Sequence, residues 1–328
     1  MTKDSRPYLS VVIPVFNEEE VLPVLLGEIY NVLNSLGKDY EIIFVDDGSK
    51  DQTPHILKQF ADKDHRVKFL RFSRNFGHQA AFSAGIDASS GQYVLTMDGD
   101  LQHPPRLIPE FIKHAEDGFD MIIGERLQNK QNSFIREFTG RMFYKILSTI
   151  TNLEFKNASD FALYSNKVVK VLRKLPERER FLRGLVQWVG FKKKYLPYVV
   201  EARRHGKAKY TIKKLTGLIM SGVTSFSPFP LRISFWLGMI VFLVSIGLGI
   251  FVVLDHYFNP NPFAAGYATV SMIVLFLGSI QLIMLGISGE YLYKMFNEIK
   301  GRPLYIIAET LNIDNQKIEK TPYGIYIE

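Results

Sequence analysis

Acidic side chains follow two apolar segments of the chain. One segment is followed by Asp46 and Asp47, and the other by Asp98 and Asp100. In an extended segment side chains repeat their direction every second residue, so Asp98 and Asp100 are expected on one side. Two such carboxylates suit a hard divalent cation such as Mg²⁺ or Mn²⁺, which keeps coordination positions for phosphate oxygens. The spacing therefore predicts a metal site at Asp98 and Asp100 that handles a diphosphate.

The alternative for these acids is a structural role as helix caps or turn residues, since Asp-x-Asp is short and common. Their position after apolar segments favours chemistry. The sequence contains neither a Gly-x-Gly-x-x-Gly pattern nor a Gly-Lys-Ser/Thr phosphate loop. A bound nucleotide would therefore need a metal, rather than a glycine loop, to handle its phosphates.

Stretches with strand periodicity alternate with helical stretches over the first part of the chain. Strand patterns occur at Leu9 to Ile13, Glu41 to Val45, Val67 to Phe72, Tyr93 to Met97 and Met121 to Gly124. Helical patterns occur at Val21 to Gly37, after Thr53 as an N-cap, and at Gly77 to Ser90. This alternation predicts an α/β fold with a mostly parallel sheet. Such sheets bind ligands at the carboxyl ends of their strands, where the acidic residues lie.

Two long uncharged stretches follow the α/β region. Residues 233–254 carry no charge over 22 positions, and residues 266–289 carry none over 24. At about 1.5 Å per residue, each is long enough to cross a hydrocarbon core about 30 Å thick. Buried core helices are the alternative, but a helix in a soluble protein usually presents a polar face to water. We therefore expect two C-terminal transmembrane helices.

Basic residues flank these stretches, whereas the loop between them, residues 255–265, has no Lys or Arg. The flanking residues are Lys213, Lys214, Arg232, Lys294, Lys300 and Arg302. The positive-inside rule then predicts a multi-pass protein of the inner (plasma) membrane with both termini in the cytoplasm. The expected parts are a cytoplasmic catalytic domain at 1–210, an interfacial segment at 211–232, the two spans within 233–289, and a cytoplasmic tail at 290–328. Residues 291–299 are expected either to lie in the interface or to extend the second span.

Charge and cysteine content narrow the function classes. The formal net charge is +7, and the region from Lys192 to Lys214 holds nine basic residues against one acid, Glu201. An anionic neighbour is expected there, either nucleic acid or anionic lipid. The chain has no cysteine, which excludes disulfides and thiolate zinc sites.

Four segments together resemble a known family over nearly the whole chain. They are Val12 to Glu18 (VIPVFNE), Val45 to Ser49 (VDDGS), Arg74 to Gly77 (RNFG) and Met97 to Pro105 (MDGDLQHPP). The pattern resembles family 2 glycosyltransferases of the GT-A fold, in particular the polyprenyl-phosphate glycosyltransferases that include bactoprenol glucosyltransferases and dolichol-phosphate mannose synthases. Under this resemblance the basic region is expected to meet lipid, and nucleic acid is no longer expected as a partner.

The resemblance also implies roles for individual residues. The nucleotide-binding residues implied are Pro14, Asn17, Glu18, Asp46, Asp98, Arg203 and Lys209. The catalytic residues implied are Asp98, Asp100, Gln102, Arg126 and Asp160, with Gln102 facing the donor sugar. His78 and His103 lie near motifs, but we interpret them as structural residues.

A phosphate acceptor requires positive charge near the site. Arg126, Arg136 and Arg141 follow the last predicted strand and are candidates, because guanidinium binds phosphate in a bidentate fashion. The alternative for each is a solvated helix face. Ala162 stands where the family usually has Arg in Asp-Phe-Arg-Leu. The missing charge is therefore expected from one of the three arginines, or activity is expected to be reduced.

The implied reaction is an inverting transfer of a hexose, glucose from UDP-glucose, to undecaprenyl phosphate. Mannose from GDP-mannose, or an amino sugar from a UDP donor, are alternatives. A processive synthase is disfavoured because its Gln-x-x-Arg-Trp motif is missing. A non-catalytic membrane module that binds nucleotide sugars is disfavoured because the acidic motif is intact. A homo-oligomer is also expected, since Gly238, Gly247 and Gly249 permit close helix contact.

Overall fold

The computed structural model describes residues 6–127, 158–177, 180, 182–199, 229–258, 266–314 and 324–326. The chain forms two compact units. The first consists of Met1–Leu215 together with Arg302–Glu328, and the second of Thr216–Gly301.

The first unit is an α/β unit built on nine described strands. The strands are β1 (Leu9–Val15), β2 (Tyr40–Asp46), β3 (Val67–Phe72), β4 (Tyr93–Thr96), β5 (Met121–Leu127), β6 (Ala158–Ser165), β7 (Lys193–Val199), β8 (Tyr305–Leu311) and β9 (Gly324–Tyr326). The helices of this unit are α1 (Leu22–Ser35), α2 (Thr53–Lys63), α3 (His78–Ala88), α4 (Ile108–Glu116), α5 (Asn166–Leu172) and α6 (Leu182–Trp188). A short 3₁₀ helix, Pro105–Leu107, precedes α4.

The strands form one mixed sheet in the order β7-β5-β6-β4-β1-β2-β3-β8-β9. Strands β4, β1, β2 and β3 are mutually parallel, whereas β6 runs antiparallel to both β4 and β5. Every residue of β1 and β2 is buried, as expected for central strands covered on both faces. Helix α1 packs its buried face, Leu22, Leu25, Leu26, Ile29 and Leu33, into the core of this unit.

The predicted parallel α/β sheet is confirmed. Strand β3 has the predicted bounds, and the helix predicted over Gly77 to Ser90 is observed as α3. The prediction for Thr53 is wrong, because the N-cap of α2 is Gln52 and Thr53 is the first helical residue. The Thr53 hydroxyl instead accepts the backbone N–H of Glu18 at 2.9 Å, which connects α2 to the loop after β1.

The C-terminal tail differs from the expected separate segment. Its strand β8 pairs antiparallel with β3, so residues from Arg302 onward belong to the α/β unit. The ring of Tyr305 stacks on Phe72 with centroids 5.1 Å apart, and its hydroxyl donates to Asp87 at 3.1 Å. The pairing covers the backbone groups that β3 would otherwise expose at a sheet edge.

The second unit contains two long helices, α7 (Phe229–Phe258) and α8 (Gly266–Lys300). Helix α8 continues through residues 291–299, which supports the interpretation of this segment as a helical extension. A methyl group at Gly238 would lie 3.4 Å from the Cε atom of Met284, so this glycine allows the two helices to approach. Within the part of the chain that the structure describes, no helix is long and apolar enough to cross a membrane.

Gly48 is the position where the turn after β2 depends most clearly on a missing side chain. Its φ is +73°, and an added Cβ would lie 2.6 Å from the carbonyl carbon of Arg74. We expect Gly48→Ala to lower the free energy of unfolding by more than about 1 kcal/mol, because backbone must move to admit the methyl group. Thermal and denaturant unfolding of the full chain measures this.

Gly27→Ala in α1 is the matched control. No atom lies within 4 Å of a Cβ at Gly27, so this change should stabilise the chain by about 0.5–1 kcal/mol. Equal stabilisation by both substitutions would contradict the assigned role of Gly48.

Candidate active site

The Asp47 carboxylate joins two loops at the carboxyl edge of the sheet. Its Oδ1 accepts the N–H of Phe76 at 2.7 Å, and its Oδ2 accepts the N–H of Gly77 at 3.0 Å. The Asp47 N–H donates to the carbonyl of Val15 at 3.0 Å. Burial raises the pKa of Asp47, and the N–H groups of Phe76 and Gly77 oppose this rise. The ends of β1 and β2 and the start of α3 are thereby held in one arrangement.

Asp46 lies at the same edge and is completely buried. Its Oδ1 accepts the N–H of Ser49 at 2.9 Å, while Oδ2 has no hydrogen-bond partner among the described residues. Arg71 Nε is 3.4 Å from Oδ2, which is an ion-pair distance without hydrogen-bond alignment. Burial raises the pKa of Asp46, and the Ser49 hydrogen bonds and the charge of Arg71 oppose this. A buried carboxylate oxygen at this edge thus lacks a hydrogen-bond partner among the described residues.

Two of the four residues predicted for the nucleotide pocket after β1 and β2, Asn17 and Asp46, contact Ser49, and a third, Glu18, contacts Thr53. Asn17 has a φ of 54°, its N–H donates to the Ser49 hydroxyl at 2.9 Å, and its Oδ1 accepts the N–H of Lys50. The following residue, Glu18, is fixed through its backbone, as described above. Pro14 pairs with Val45 inside the sheet. The structure thus brings Asn17, Glu18 and Asp46 to one edge.

A group of three possible metal ligands lies at the ends of β4 and β6 and the start of α3. The ligand atoms of His78, Asp98 and Asp160 all lie within 4.8 Å of one another. His78 Nε2 is 2.8 Å from Asp98 Oδ1, yet that oxygen has no hydrogen-bond partner, so the two atoms are close without hydrogen-bond alignment. Two carboxylates and an imidazole at these distances, one with a buried oxygen that lacks a hydrogen-bond partner among the described residues, fit a divalent cation.

His103 fixes the backbone of Asp98. Its Nδ1 accepts the Asp98 N–H at 2.9 Å, so the ring is unprotonated at Nδ1. The ring is fully buried and stacks on Phe161 with centroids 5.0 Å apart. Burial lowers the pKa of His103 despite the nearby carboxylates, which keeps it neutral. The interpretation of His103 as a structural residue is consistent with these contacts.

Arg183, in the first turn of α6, holds Asp160. Its Nε donates to Asp160 Oδ1 at 2.9 Å, and its Nη2 donates to Oδ2 at 2.6 Å. Burial alone would raise the pKa of Asp160, but the charge and hydrogen bonds of Arg183 lower it to about 2. Asp160 is therefore an ionised carboxylate with a fixed orientation.

Asp100 is placed differently from the expectation. The segment after β4 bends rather than continuing as an extended strand, and Leu101 has a φ of 61°. Asp100 Oδ1 accepts the N–H of Gln102 at 3.1 Å, so this carboxylate stabilises the bend. Strand alternation therefore does not apply to Asp98 and Asp100, and their alignment stays a prediction. Asp100 is not among the three grouped ligands, and its role in metal binding stays a prediction, as does that of Gln102 toward the sugar.

The predicted arginines are only partly described. Arg126 is exposed on β5, and its charge reaches His103 and Tyr198. The other predicted phosphate-binding residues, Arg136, Arg141, Arg203 and Lys209, lie outside the described residues.

Ala162 is buried in β6, between Thr96 of β4 and Ile123 of β5. The cation beside Asp160 comes from α6, a source that the sequence interpretation did not include.

Two residues of this site were missed from the sequence. His78 had a usable signal, since it directly follows the Arg74 to Gly77 segment and opens a helix at the carboxyl edge. Arg183 had none, because only the fold brings α6 to Asp160. Together with Phe82, Thr96 and Gln187, Asp160 and Arg183 line a pocket between α3, β6 and α6.

Arg183→Met tests whether Arg183 orients a metal ligand. The variant removes both hydrogen bonds to Asp160, and we expect Mn²⁺ affinity to fall by about 10–100-fold. Titration of the purified chain with Mn²⁺ measures this. Arg66→Met is the control, because Arg66 forms a surface pair with Asp64 and its loss should leave the affinity unchanged. Unchanged or tighter Mn²⁺ binding by Arg183→Met would show that the guanidinium does not orient a ligand.

Comparisons with known families assign both units. Residues 10–173 match the model described as glycosyl transferase family 2. Residues 229–295 match the model described as GtrB C-terminal hairpin.

Relatives match over almost the full length. An uncharacterized glycosyltransferase of Synechocystis is 39% identical over 95% of this chain and 98% of its own. The SfII prophage-derived bactoprenol glucosyl transferase of Shigella flexneri is 38% identical over 92% of this chain and 98% of its own.

A solved structure shares the fold. Glucosyl-3-phosphoglycerate synthase of Mycobacterium tuberculosis, in complex with Mn²⁺, UDP and phosphoglyceric acid, aligns with a TM-score of 0.50 and 19% identity. The alignment covers 66% of this chain and 76% of that protein. The family match and the relatives over almost the full length show that the chain is a glycosyltransferase and belongs to glycosyltransferase family 2.

Proposed function

We propose that this protein transfers glucose from UDP-glucose to a polyprenyl phosphate, with undecaprenyl phosphate as the expected lipid. The observation that carries the proposal is the grouping of His78, Asp98 and Asp160 beside the buried acceptor of Asp46 at one sheet edge. We assign the donor base to Asp46 and the cation to the three grouped residues. Relatives named bactoprenol glucosyl transferases, 38% identical over most of the chain, support the sugar and the lipid.

The donor base is assigned to the edge around Asp46. Its buried Oδ2 has no hydrogen-bond partner, and a uracil ring offers an imide N–H that suits such an acceptor. The Asn17 and Ser49 backbone contacts hold the loop on the other side of this position. A guanine base also presents N–H donors, so GDP-mannose is retained as an alternative donor.

The reaction needs no general base. An oxygen of the ionised lipid phosphate attacks the anomeric carbon, the bond from that carbon to the donor diphosphate breaks, and UDP leaves with the electron pair. A single displacement of this kind inverts the anomeric configuration. The residues therefore act by positioning two anions and screening their charge. When bound, a divalent cation supplies part of that screening at the diphosphate.

His78, Asp98 and Asp160 would hold the cation, and Asp100 stays a candidate for a further contact. Arg183 keeps Asp160 ionised and oriented. The exposed Arg126 on β5 is the described candidate for the acceptor phosphate, with Arg136 and Arg141 as further candidates from the sequence.

Membrane attachment is part of the proposal. The uncharged stretches 233–254 and 266–289 and their basic flanks support two spans with the catalytic domain on the cytoplasmic side of the inner membrane. The match of residues 229–295 to a C-terminal hairpin model agrees with a paired-helix anchor.

A homo-oligomer is also proposed. Gly238 contributes to packing between α7 and α8, so it is already used within the chain. Among the described residues, no atom outside the backbone of its own helix turn lies within 4 Å of a Cβ at Gly247, so this position would admit a helix of a second copy.

Transfer to lipid is the direct test. Membranes containing the protein are incubated with Mn²⁺, undecaprenyl phosphate and labelled UDP-glucose, GDP-mannose or UDP-N-acetylglucosamine, and the organic phase is counted. We expect label from UDP-glucose, and a loss of at least about 100-fold in Asp98→Asn, because a charged ligand is replaced by a neutral one. Glu110→Gln on α4 is the surface control. Lipid label from a different donor would show that the transferred sugar is not glucose. The absence of label from every donor would favour the non-catalytic module.

Because the chain has no cysteine, single-cysteine variants can test the membrane topology without maleimide labelling of native thiols. Asn261→Cys lies in the sequence between the two helices, and Ser35→Cys lies at the end of α1. In intact cells a membrane-impermeant maleimide should label the first variant and not the second. Labelling of both variants, or of neither, in intact cells with full labelling after lysis would exclude the two-span arrangement.

A further inference from the structure

We propose that His78 is a nitrogen ligand of the bound cation and that it makes the site favour Mn²⁺ and other first-row transition ions over Mg²⁺. The inference rests on the proposed function in one respect, which is that a divalent cation serves the donor diphosphate. It goes beyond that function by assigning the cation preference to one residue outside the acidic motif.

The spacing of the His78 and Asp98 atoms fits neighbouring ligands of one ion. Adjacent ligands of an octahedral ion with bonds of about 2.0–2.1 Å are about 2.9 Å apart. The observed separation of His78 Nε2 and Asp98 Oδ1 is 2.8 Å. A simple hydrogen bond would satisfy Asp98 Oδ1, yet this buried oxygen has no hydrogen-bond partner. The two atoms are therefore at ion-pair distance without hydrogen-bond alignment, and the same spacing suits two neighbouring ligands of one ion.

The backbone and ring of His78 are held in place from two sides. The preceding residue, Gly77, has a φ of 101° and donates its N–H to Asp47. The imidazole stacks on Phe82 with centroids 4.7 Å apart and an interplanar angle of 28°. The side chain nevertheless remains 47% exposed, so an ion with its water and phosphate ligands has access. A fixed ring with an open side is the arrangement required of a metal ligand.

Asp160 can complete the group although Arg183 contacts both of its oxygens. Each carboxylate oxygen has two lone-pair positions, so an oxygen that accepts a guanidinium N–H can also face an ion. Hydrogen bonds to a ligating carboxylate are a common second layer of metal sites. The described atoms thus provide two oxygen ligands and one nitrogen ligand within 4.8 Å.

The chemistry of the third ligand sets the preference. Mg²⁺ takes oxygen ligands and retains water, whereas imidazole binds first-row transition ions, with affinity rising from Mn²⁺ through Co²⁺ to Ni²⁺. A site of three oxygens would discriminate less in favour of these ions. As a nitrogen ligand, His78 would make the site prefer transition ions, whereas a residue that only paired its charge with Asp98 would not.

The test measures metal binding directly on the purified full-length protein, without any transfer reaction. The probe is Mn²⁺ alone and then Mn²⁺ with UDP, observed by electron paramagnetic resonance. Free Mn²⁺ reports affinity, and hyperfine spectroscopy of bound Mn²⁺ reports nitrogen coupling, which ¹⁵N-labelled histidine identifies. We expect histidine nitrogen coupling in the wild type and its loss in His78→Gln, which replaces the nitrogen by an amide oxygen of similar reach.

Competition measures the preference itself. The ratio of Mg²⁺ to Mn²⁺ needed to displace half of the bound Mn²⁺ should fall by about tenfold or more in His78→Gln. His55→Gln is the matched control, because His55 is exposed on α2, with its Nε2 3.0 Å from the Gln59 amide nitrogen. Circular dichroism and thermal unfolding confirm that each variant is folded.

The outcomes separate this inference from the proposed function. Mn²⁺ bound without histidine coupling, or coupling that persists in His78→Gln, overturns the role of His78 while leaving the sugar transfer intact. An unchanged displacement ratio in a folded His78→Gln variant overturns the preference. If histidine coupling is observed but the protein labels no lipid, the metal site is supported and the proposed reaction is contradicted.

Discussion

The carboxylate of Asp47 connects the parts of the structure on which the site depends. This buried carboxylate requires hydrogen-bond donors, and it obtains them from the backbone N–H groups of Phe76 and Gly77. Those two residues lead into α3, whose first residue is His78. The Asp47 N–H meanwhile donates to the carbonyl of Val15. One side chain therefore connects the ends of β1 and β2 to the start of α3, where His78 lies.

The site gathers more negative charge than it could hold without compensation. Asp46, Asp98 and Asp160 lie at neighbouring strand ends, and like charges in a partly desolvated place repel strongly. Ser49 and Arg71 contact the carboxylate of Asp46, and Arg183 contacts that of Asp160. Asp98 Oδ1 lies 2.8 Å from His78 Nε2 without a hydrogen-bond partner among the described residues. The least compensated atoms are Asp46 Oδ2 and Asp98 Oδ1. These are the positions to which we assign a donor from the ligand and a cation in the proposed function.

The sequence predicted the parallel part of the sheet well, because β1, β2 and β3 are rich in apolar residues and are separated by helical patterns. It did not predict β6 or β8. The strands with which they pair are remote in sequence, and tertiary packing determines that pairing. The acidic strand ends were found because strand ends are local features. Alternation does not continue after β4, where the chain bends and the Asp100 carboxylate accepts the N–H of Gln102.

Arg183 shows why a departure from a family motif has to be judged in space. The alanine at position 162 removes a cation from β6, and the sequence offered only arginines after β5 as replacements. In the structure the guanidinium beside Asp160 belongs to the first turn of α6. A cation in the first turn opposes the helix dipole, so this placement is unfavourable unless a carboxylate offsets it. Asp160 provides that offset through two hydrogen bonds, and the same contact orients Asp160 toward His78 and Asp98. The positive charge is thus found beside the buried carboxylate of Asp160, although α6 rather than β6 supplies the side chain.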